Sequence, residues 1–224
     1  MAIQLQGNGG VVADVGGTTF RALNVNIKPI EYGALGHYRV NHRCAIANTQ
    51  AANSRLFEAR NTHATNLLIP TRLVIRWLQN GAHTAAIEDS LDVFRCTSFS
   101  AVDTVNTVTP TFSVKRTSGM AAAGSSIASV RGVTVAGAAA GMTGGTLTKD
   151  ASSIGQLPQW LLAAVPTAGT IVPMVIDVFD DVNGTHPFVF ANNEGFIIEN
   201  RVLLGAAAGS QVYIDFSWAE VTAY

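Results

Sequence analysis

The residues that could bind a metal ion are few and poorly spaced in this 224-residue chain. His37 and His42 are five positions apart, so on a strand they face opposite sides of the sheet. Asp177, Asp180 and Asp181 lie close together, but they lack the glycine and the closing glutamate of an EF-hand loop. The spacing therefore predicts no metal site, and the aspartates are expected to form a solvated acidic loop.

The remaining candidates for chemistry are equally isolated. His63, His83 and His186 lie in or beside predicted turns and are expected to be exposed polar residues. Cys44 and Cys96 could form one disulfide, but no Cys-x-x-Cys spacing or nucleophile motif surrounds them, so we expect two reduced thiols on strands. We predict no catalytic residue, no bound cofactor and no enzymatic activity.

One short motif resembles a known phosphate loop. Asp14 is followed by Gly16, Gly17 and Thr18, and the segment is similar to the first phosphate loop of sugar kinases related to hexokinase and actin. The resemblance implies that Asp14 lies near a metal ion and Thr18 near the phosphates. It covers ten residues, and a tight hairpin also requires adjacent glycines. Phosphate binding at this loop is kept as a remote alternative.

The chain carries half the usual share of charged residues, 13% against roughly 25% in soluble domains. Residues 1–116 hold eleven basic and seven acidic side chains, whereas residues 177–224 hold one and seven. In residues 117–176 the charges are Arg131, Lys149 and Asp150. This low-charge segment is expected either to form the interior or to be covered by neighbouring subunits. The net charge of −1 argues against a nucleic-acid partner.

The low charge does not predict a membrane protein. The longest uncharged run lies within residues 151–176 and is broken by Pro158, Pro166 and Pro173, whereas a membrane span needs about 20 nearly continuous apolar residues. Residues 1–10 lack the basic and apolar regions of a secretory signal. The product is therefore expected to stay in the compartment where it is made.

Apolar residues alternate with period two, which indicates strands. Val212, Ile214, Phe216 and Trp218 share one face near the C-terminus, with Gln211, Tyr213, Asp215 and Ser217 on the other. A second strand, over residues 69–78, places on one face Ile69, Leu73, Ile75 and Trp77, with Arg72 and Arg76 pointing away.

Further strands are predicted at residues 11–15, 20–27, 36–47, 56–60, 90–96, 126–135, 170–178, 187–191 and 195–203. A helical turn or two is predicted at residues 159–165, and long loops at residues 104–111 and 136–148. Many short strands with Gly/Asn turns predict an all-β protein, an antiparallel β-sandwich of jelly-roll type. Residues 1–14 are assigned to an extended N-terminal arm and residues 15–224 to one sandwich domain, with a Gly/Ala-rich low-charge insertion around residues 117–176.

About half of the chain resembles virion structural proteins of tailed bacteriophages. The similarity lies in the opening Met-Ala-Ile-Gln-Leu-Gln-Gly-Asn, in residues 17–23 (Gly-Thr-Thr-Phe-Arg-Ala-Leu) and in residues 32–38 (Tyr-Gly-Ala-Leu-Gly-His-Tyr). It continues in residues 52–57 (Ala-Asn-Ser-Arg-Leu-Phe) and 186–196 (His-Pro-Phe-Val-Phe-Ala-Asn-Asn-Glu-Gly-Phe), and closes with residues 218–221 (Trp-Ala-Glu-Val). The resemblance implies a structural role in a particle, with no reaction attached.

The expected function is that of a non-enzymatic capsid decoration, or cement, protein that stabilises the head lattice. Its expected partners are the major capsid protein and copies of itself, as a trimer, and its location is the virion, assembled in the host bacterial cytoplasm. The alternative is another virion component, such as a tail, collar or fibre-base protein, including a glycan-binding one with Trp160 or Tyr213 as the platform. Trp77, Trp160 and Trp218 are otherwise expected to anchor the core or an interface.

Overall fold

The computed structural model describes residues 3–6, 12–15, 36–114, 128–164, 174–179, 187–205 and 209–222. Within these residues every regular element is a β-strand, and every pairing is antiparallel. The strands are β1 (Ile3–Gln6), β2 (Val12–Val15), β3 (Gly36–Ala45), β4 (Arg55–Asn61), β5 (Leu67–Gln79), β6 (Ile87–Ala101), β7 (Thr107–Val108), β8 (Phe112–Val114), β9 (Ala128–Val133), β10 (Thr146–Lys149), β11 (Gly155–Leu161), β12 (Met174–Asp177), β13 (Gly195–Asn200) and β14 (Ser210–Val221).

The chain divides into two compact units, residues 1–30 and residues 31–224. In the first unit β1 pairs with β2 as a hairpin, with Ile3 opposite Val15. The described part of the predicted arm is thus a strand pair. The boundary at residue 14 and a role of the arm in reaching a neighbour stay predictions.

The second unit is a sandwich of two sheets. The first sheet has the order β12-β5-β14-β3-β8, and the second has the order β6-β13-β4-β9-β7. On the other edge of β6, β11 pairs with residues 87–93 and β10 pairs with residues 96–101, one after the other along the strand. The pairs β3/β14, β4/β13, β5/β12 and β6/β11 are nested, as in one long hairpin rolled up. This strand order is that of a jelly roll, so the predicted fold class is confirmed.

Aromatic side chains from both sheets meet in the core. Phe196 of β13 and Phe216 of β14 are in edge-to-face contact with ring centroids 4.9 Å apart, and Trp218 stacks on Phe216 at 4.9 Å. All three side chains are fully buried. The β14 residues predicted to face the core, Val212 to Trp218 in steps of two, do so, which confirms that alternation.

The alternation predicted for β5 is wrong at Ile69. Ser217 and Trp218 are consecutive on β14 but pair with Arg72 and Pro70, so Thr71 is an extra residue on β5. Such a bulge reverses which face the following side chains occupy. Leu68 therefore belongs to the core with Leu73, Ile75 and Trp77, while Ile69 lies on the opposite face.

The helical turn predicted at residues 159–165 is also wrong over its described part. Residues 155–161 pair along their whole length with residues 87–93 of β6. The buried Leu157 and Leu161 are four apart, a spacing that fits both a helix and a strand. Pro158 lacks an N–H group. It is tolerated because β11 is an edge strand, which pairs with β6 along one of its two edges.

The low-charge segment does not form the interior in its described parts, residues 128–164 and 174–176. In residues 128–164 the buried residues are Val130, Gly132, Val133, Gly141, Met142, Leu157 and Leu161, and the rest are exposed or half-buried. The predicted loop at 104–111 contains the short β7, and that at 136–148 runs into β10. The strand predicted at 187–191 is reduced to one bridge, between Phe190 and Leu68. The strand predicted at 20–27 lies outside the described residues.

A candidate ligand-binding cleft

A polar cleft of about 440 Å³ lies beside the paired strands β6 and β11. Because β11 alternates, Gln156, Pro158 and Trp160 point to solvent while Leu157 and Leu161 enter the core. The loop that follows β13 closes the cleft from the other side. Its lining includes Glu88, Asp89, Ser90, Gln156, Pro158 and Arg201.

Asp89 holds the end of β13 against β6. Its Oδ1 accepts hydrogen bonds from the backbone N–H groups of Ser90 (2.8 Å), Arg201 (3.1 Å) and Val202 (2.9 Å). The side chain is completely buried, and its other oxygen, Oδ2, is buried without a hydrogen-bond partner. A buried carboxylate oxygen without a donor is rare in folded proteins.

Burial raises the pKa of Asp89 to about 6, although the three N–H groups act in the opposite direction. The nearby Asp92 also raises it. Asp92 accepts a hydrogen bond from the Ser90 hydroxyl at 2.6 Å. The buried Asp89 carboxyl thus changes its charge in the mildly acidic range.

A second group of buried charges has a structural role. Glu58 on β4 accepts hydrogen bonds from the Asp103 N–H at 2.5 Å and from the Arg55 guanidinium at 3.2 Å. Asp103 in turn accepts one from the Gly144 N–H at 2.6 Å. Burial raises the pKa of Glu58 to about 7, although the Asp103 N–H and the charge of Arg55 act in the opposite direction. These contacts fasten two loops to the outer face of the second sheet.

The histidines do not converge. His37 is hydrogen-bonded to Thr71 at 3.0 Å, and His42 is buried on the other side of β3, so their predicted opposition is confirmed. A Cβ on Gly132 would lie 2.4 Å from His42 Nε2, so glycine leaves the space for that ring. His63 is half-buried and accepts the Asn66 N–H at 3.0 Å.

His83 is 3% exposed, so the prediction that it is an exposed turn residue is wrong. Its loop is drawn against the start of β14, where the Gly81 N–H donates to the Gly209 carbonyl and His83 Nε2 contacts the Ser210 hydroxyl at 3.0 Å.

Neither the phosphate-loop residues nor the cysteines form a site in the described part of the chain. Asp14 lies on β2, whereas Thr18, His186, Asp180 and Asp181 are outside the described residues. The remaining acidic candidate, Asp177, contacts Arg72 at 3.4 Å. Among the described residues, no group of three or more histidine, cysteine, aspartate or glutamate side chains could hold a metal ion.

Both cysteines are free and buried on strands, as predicted. Burial raises the pKa of Cys44 and of Cys96 to about 12, so both are inert thiols at neutral pH.

The tryptophans separate into two kinds. Trp77 and Trp218 are completely buried, which confirms them as core anchors, whereas Trp160 is 58% exposed. Trp160 lies opposite Glu88 in the β6/β11 pair, next to the cleft. The alternative platform, Tyr213, has the Arg43 guanidinium over its ring at 6.0 Å.

Sequence reasoning missed Asp89, Gln156 and Arg201. A signal for Asp89 was present, because it lies between Ile87 and Leu91 at a position where the alternation of β6 requires an apolar residue. The cleft itself could not be read from the sequence, because it depends on the pairing of β11 with β6.

No family model, curated protein or solved structure matches this chain. In the described residues no helix is both long and apolar enough to cross a bilayer.

Proposed function

We propose that this protein is a non-enzymatic structural subunit of a tailed-phage virion, a decoration protein on the head. In this proposal its partners are the major capsid protein and copies of itself, arranged as a trimer. The sequence similarity to virion proteins supports the class. The jelly roll agrees with it, because viral capsid proteins often use this fold, but lectins and cupins share the architecture.

The observation that carries the proposal is an uncharged surface on the connection between β9 and β10. The exposed residues between positions 135 and 148 are Val135, Ala136, Ala139, Ala140, Thr143, Gly145, Thr146 and Thr148, and we call them the low-charge strip. Charged residues make up roughly a quarter to a third of a soluble protein's surface, and they are depleted at the centre of protein interfaces. The strip is therefore suited to contact a neighbouring subunit.

Backbone hydrogen bonds from residues 45 and 51 hold the low-charge strip in place. The Ala45 N–H donates to the Val135 carbonyl at 2.9 Å, and the Ala51 N–H donates to the Ala139 carbonyl at 2.7 Å. A surface fixed before association loses less conformational entropy when it binds. A subunit that binds the assembled shell better than its free parts stabilises the shell by mass action.

The test is the location and copy number of the protein in purified particles, measured by electron microscopy and quantitative gel analysis. We expect copies comparable in number to the major capsid protein, spread over the head. Particles that lack the protein should release DNA at a lower temperature. A few copies at one vertex would instead identify a tail, collar or fibre-base protein.

The remote enzymatic alternative has a separate test. Phosphate binding at Asp14 and Thr18 predicts that ATP with magnesium raises the melting temperature, because a ligand that binds the native state stabilises it. Under the structural proposal the melting curve is unchanged by millimolar ATP and magnesium.

A further inference from the structure

The outer face of the first sheet carries two arginines on either side of a tyrosine. Arg43 of β3 and Arg76 of β5 both lie opposite Tyr213 of β14. Their side chains point away from the core, because the adjacent Val212 of β14 is buried in it. Neighbouring strands are about 4.8 Å apart, so the Cα atoms of the two arginines are about 10 Å from each other. We call Arg43, Tyr213 and Arg76 the arginine row.

A second row on the same face shows what this spacing can hold. Arg39 of β3 and Arg72 of β5 lie opposite Ser217 of β14, and the carboxylate of Asp215 contacts both arginines. Asp215 Oδ1 accepts the Arg39 Nε–H at 2.7 Å, and Asp215 Oδ2 is 3.8 Å from Arg72 Nη1. Arg72 is also 3.4 Å from Asp177 of β12. Two arginines separated by one strand of this sheet therefore bind a carboxylate between them.

The arginine row has the same spacing without the carboxylate. Among the described residues, neither Arg43 nor Arg76 has an acidic side chain within ion-pair distance. The position on β14 that corresponds to Asp215, two residues before the row, is occupied by the neutral Gln211. The Gln211 Oε1 accepts a hydrogen bond from the Tyr213 hydroxyl at 2.8 Å, which fixes the ring between the two arginines. The row therefore keeps two uncompensated positive charges.

We propose that the arginine row binds an acidic segment of a partner protein, whose carboxylates take the place that Asp215 takes in the neighbouring row. A guanidinium matches a carboxylate with two parallel hydrogen bonds. Arginine and tyrosine are also the residue types that are enriched at protein interfaces. Arg43 is exposed, and Arg76 and Tyr213 are half-buried, so the row is accessible while the ring and one arginine are already packed against the sheet.

The number of free charges favours a protein partner over a nucleic acid. A nucleic-acid-binding surface typically makes about six to ten phosphate contacts, whereas this row offers two guanidinium groups and the whole chain has a net charge of −1. Two guanidinium groups are sufficient for one or two carboxylates. The row lies outside the low-charge strip, so its loss leaves the oligomer proposal standing, and failure of the particle experiment leaves the row unaffected.

The test follows the Nε–Hε NMR signals of the arginine side chains in the isotope-labelled full chain. The probe is an acetylated hexaglutamate peptide amide, and the corresponding hexaglutamine peptide is the neutral control. Hexaglutamate at millimolar concentration should shift the signals of Arg43 and Arg76 but not that of Arg201, which is exposed and lies after β13. The shifts should decrease as salt is added, because exposed charges are screened.

Variants of the two arginines measure their contributions. Arg43→Gln and Arg76→Gln should each weaken binding of fluorescein-labelled hexaglutamate by about two- to fivefold, as measured by fluorescence anisotropy. Each variant also identifies its arginine signal by the loss of that signal. Arg201→Gln removes the same charge at an exposed position away from the row, so it is the matched control and should bind normally.

A further variant supplies the missing carboxylate from within the chain. Gln211→Glu places an acid at the position that corresponds to Asp215, where it should compete with the peptide for Arg43 and Arg76 and weaken binding. Gln156→Glu adds the same charge at an exposed position on β11 in the second sheet. This control should leave binding unchanged.

Three outcomes would overturn the proposal. The first is that hexaglutamate shifts the signals of Arg43 and Arg76 no more than hexaglutamine does. The second is that Arg201→Gln weakens binding as much as Arg43→Gln, which would indicate attraction by overall charge. The third is that a short DNA duplex binds through Arg43 and Arg76 more tightly than hexaglutamate, which would identify a nucleic-acid surface.

Discussion

Asp89 combines a structural role with a raised pKa. Its Oδ1 ties the loop after β13 to β6, and its buried carboxyl has a pKa raised from 3.8 to about 6. A carboxyl group whose pKa is higher in the folded state binds its proton more tightly there. Its contribution to stability is therefore fully present below the unfolded pKa and is lost as the pH rises through the folded pKa.

The variant Asp89→Asn tests this sign. Asparagine is neutral at every pH, so the stability of the variant relative to the unmodified chain should increase between about pH 4 and pH 6. The two pKa values bound the change at about 3 kcal/mol. Urea unfolding of the variant and of the unmodified chain at several pH values measures the difference. His42 and His83 are present in both proteins, so their contributions cancel.

Asp177→Asn, at the surface beside Arg72, is the matched control for the loss of one carboxylate. A stability difference between Asp89→Asn and the unmodified chain that is flat across this range would show that Asp89 does not titrate there.

Gln79 links β5 of the first sheet to the end of β11 in the second sheet. It lies at the end of β5, and its Oε1 accepts the Leu162 N–H at 2.9 Å while its Nε2 donates to the Leu162 carbonyl at 2.7 Å. The side chain thus continues the hydrogen bonding of β11 where that strand has no further partner in β6. It is 4% exposed, so these bonds are shielded from water.

Gln79→Ala should lower the free energy of unfolding by about 1 to 3 kcal/mol, because it leaves the Leu162 N–H without its acceptor. The Leu162 carbonyl keeps the His83 N–H as a donor at 3.0 Å. The loss should be local as well, with faster hydrogen exchange of the Leu162 amide than of amides in β14. Chemical denaturation and exchange measured by NMR give both numbers. Gln211→Ala, at a half-buried position on β14, should cost less than about 1 kcal/mol; equal costs for the two variants would contradict the role of Gln79.

The predictable elements are those in which the burial of one face controls the pattern. β14 is predictable from Val212, Ile214, Phe216 and Trp218, because four alternating apolar residues determine which face of the strand enters the core. The nested pairing of β14 with β3 and β5 follows from tertiary contacts, and no local pattern encodes it. The fold class was accessible from the number of such segments, whereas the strand order was not.

Where prediction failed, a local irregularity or an ambiguous period was the cause. The extra residue Thr71 shifts Ile69 to the other face, and a bulge has no period of its own. The four-residue spacing of Leu157 and Leu161 fits helix and strand alike, and pairing with β6 decides between them. The cleft depends on that pairing, so the sequence could supply Trp160 as a candidate but not its polar neighbours.

The role of the low-charge segment depends on where the whole fold places it. Most of its described residues lie on the surface, in the long connection between β6 and β11 of the jelly roll. The connection contains the low-charge strip, and β11 follows it with an exposed face beside the cleft. The sandwich core, built from the other nested strands, does not depend on the strip.

This arrangement allows the proposed interface to be broken without unfolding the subunit. Ala136, Ala139 and Ala140 are exposed, and the hydrogen bonds that hold their segment are made by backbone atoms. Replacing all three with glutamate would bury three carboxylates for each strip that enters a contact, at several kcal/mol for each ion. In water the same charges cost little.

The triple variant Ala136→Glu, Ala139→Glu, Ala140→Glu should therefore elute as a monomer of about 24 kDa, while the unmodified chain elutes as an oligomer with the mass of a trimer. Light scattering after size exclusion measures both masses, and a cooperative melting transition with an unchanged far-ultraviolet circular dichroism spectrum shows that the fold of the monomeric variant is intact. A second triple variant at the exposed Ala85, Ala86 and Ala163 adds the same charge outside the strip and should remain oligomeric. Because both variants carry the same net charge, dissociation confined to the first assigns the contact to the strip, whereas an oligomer that survives it places the contact elsewhere.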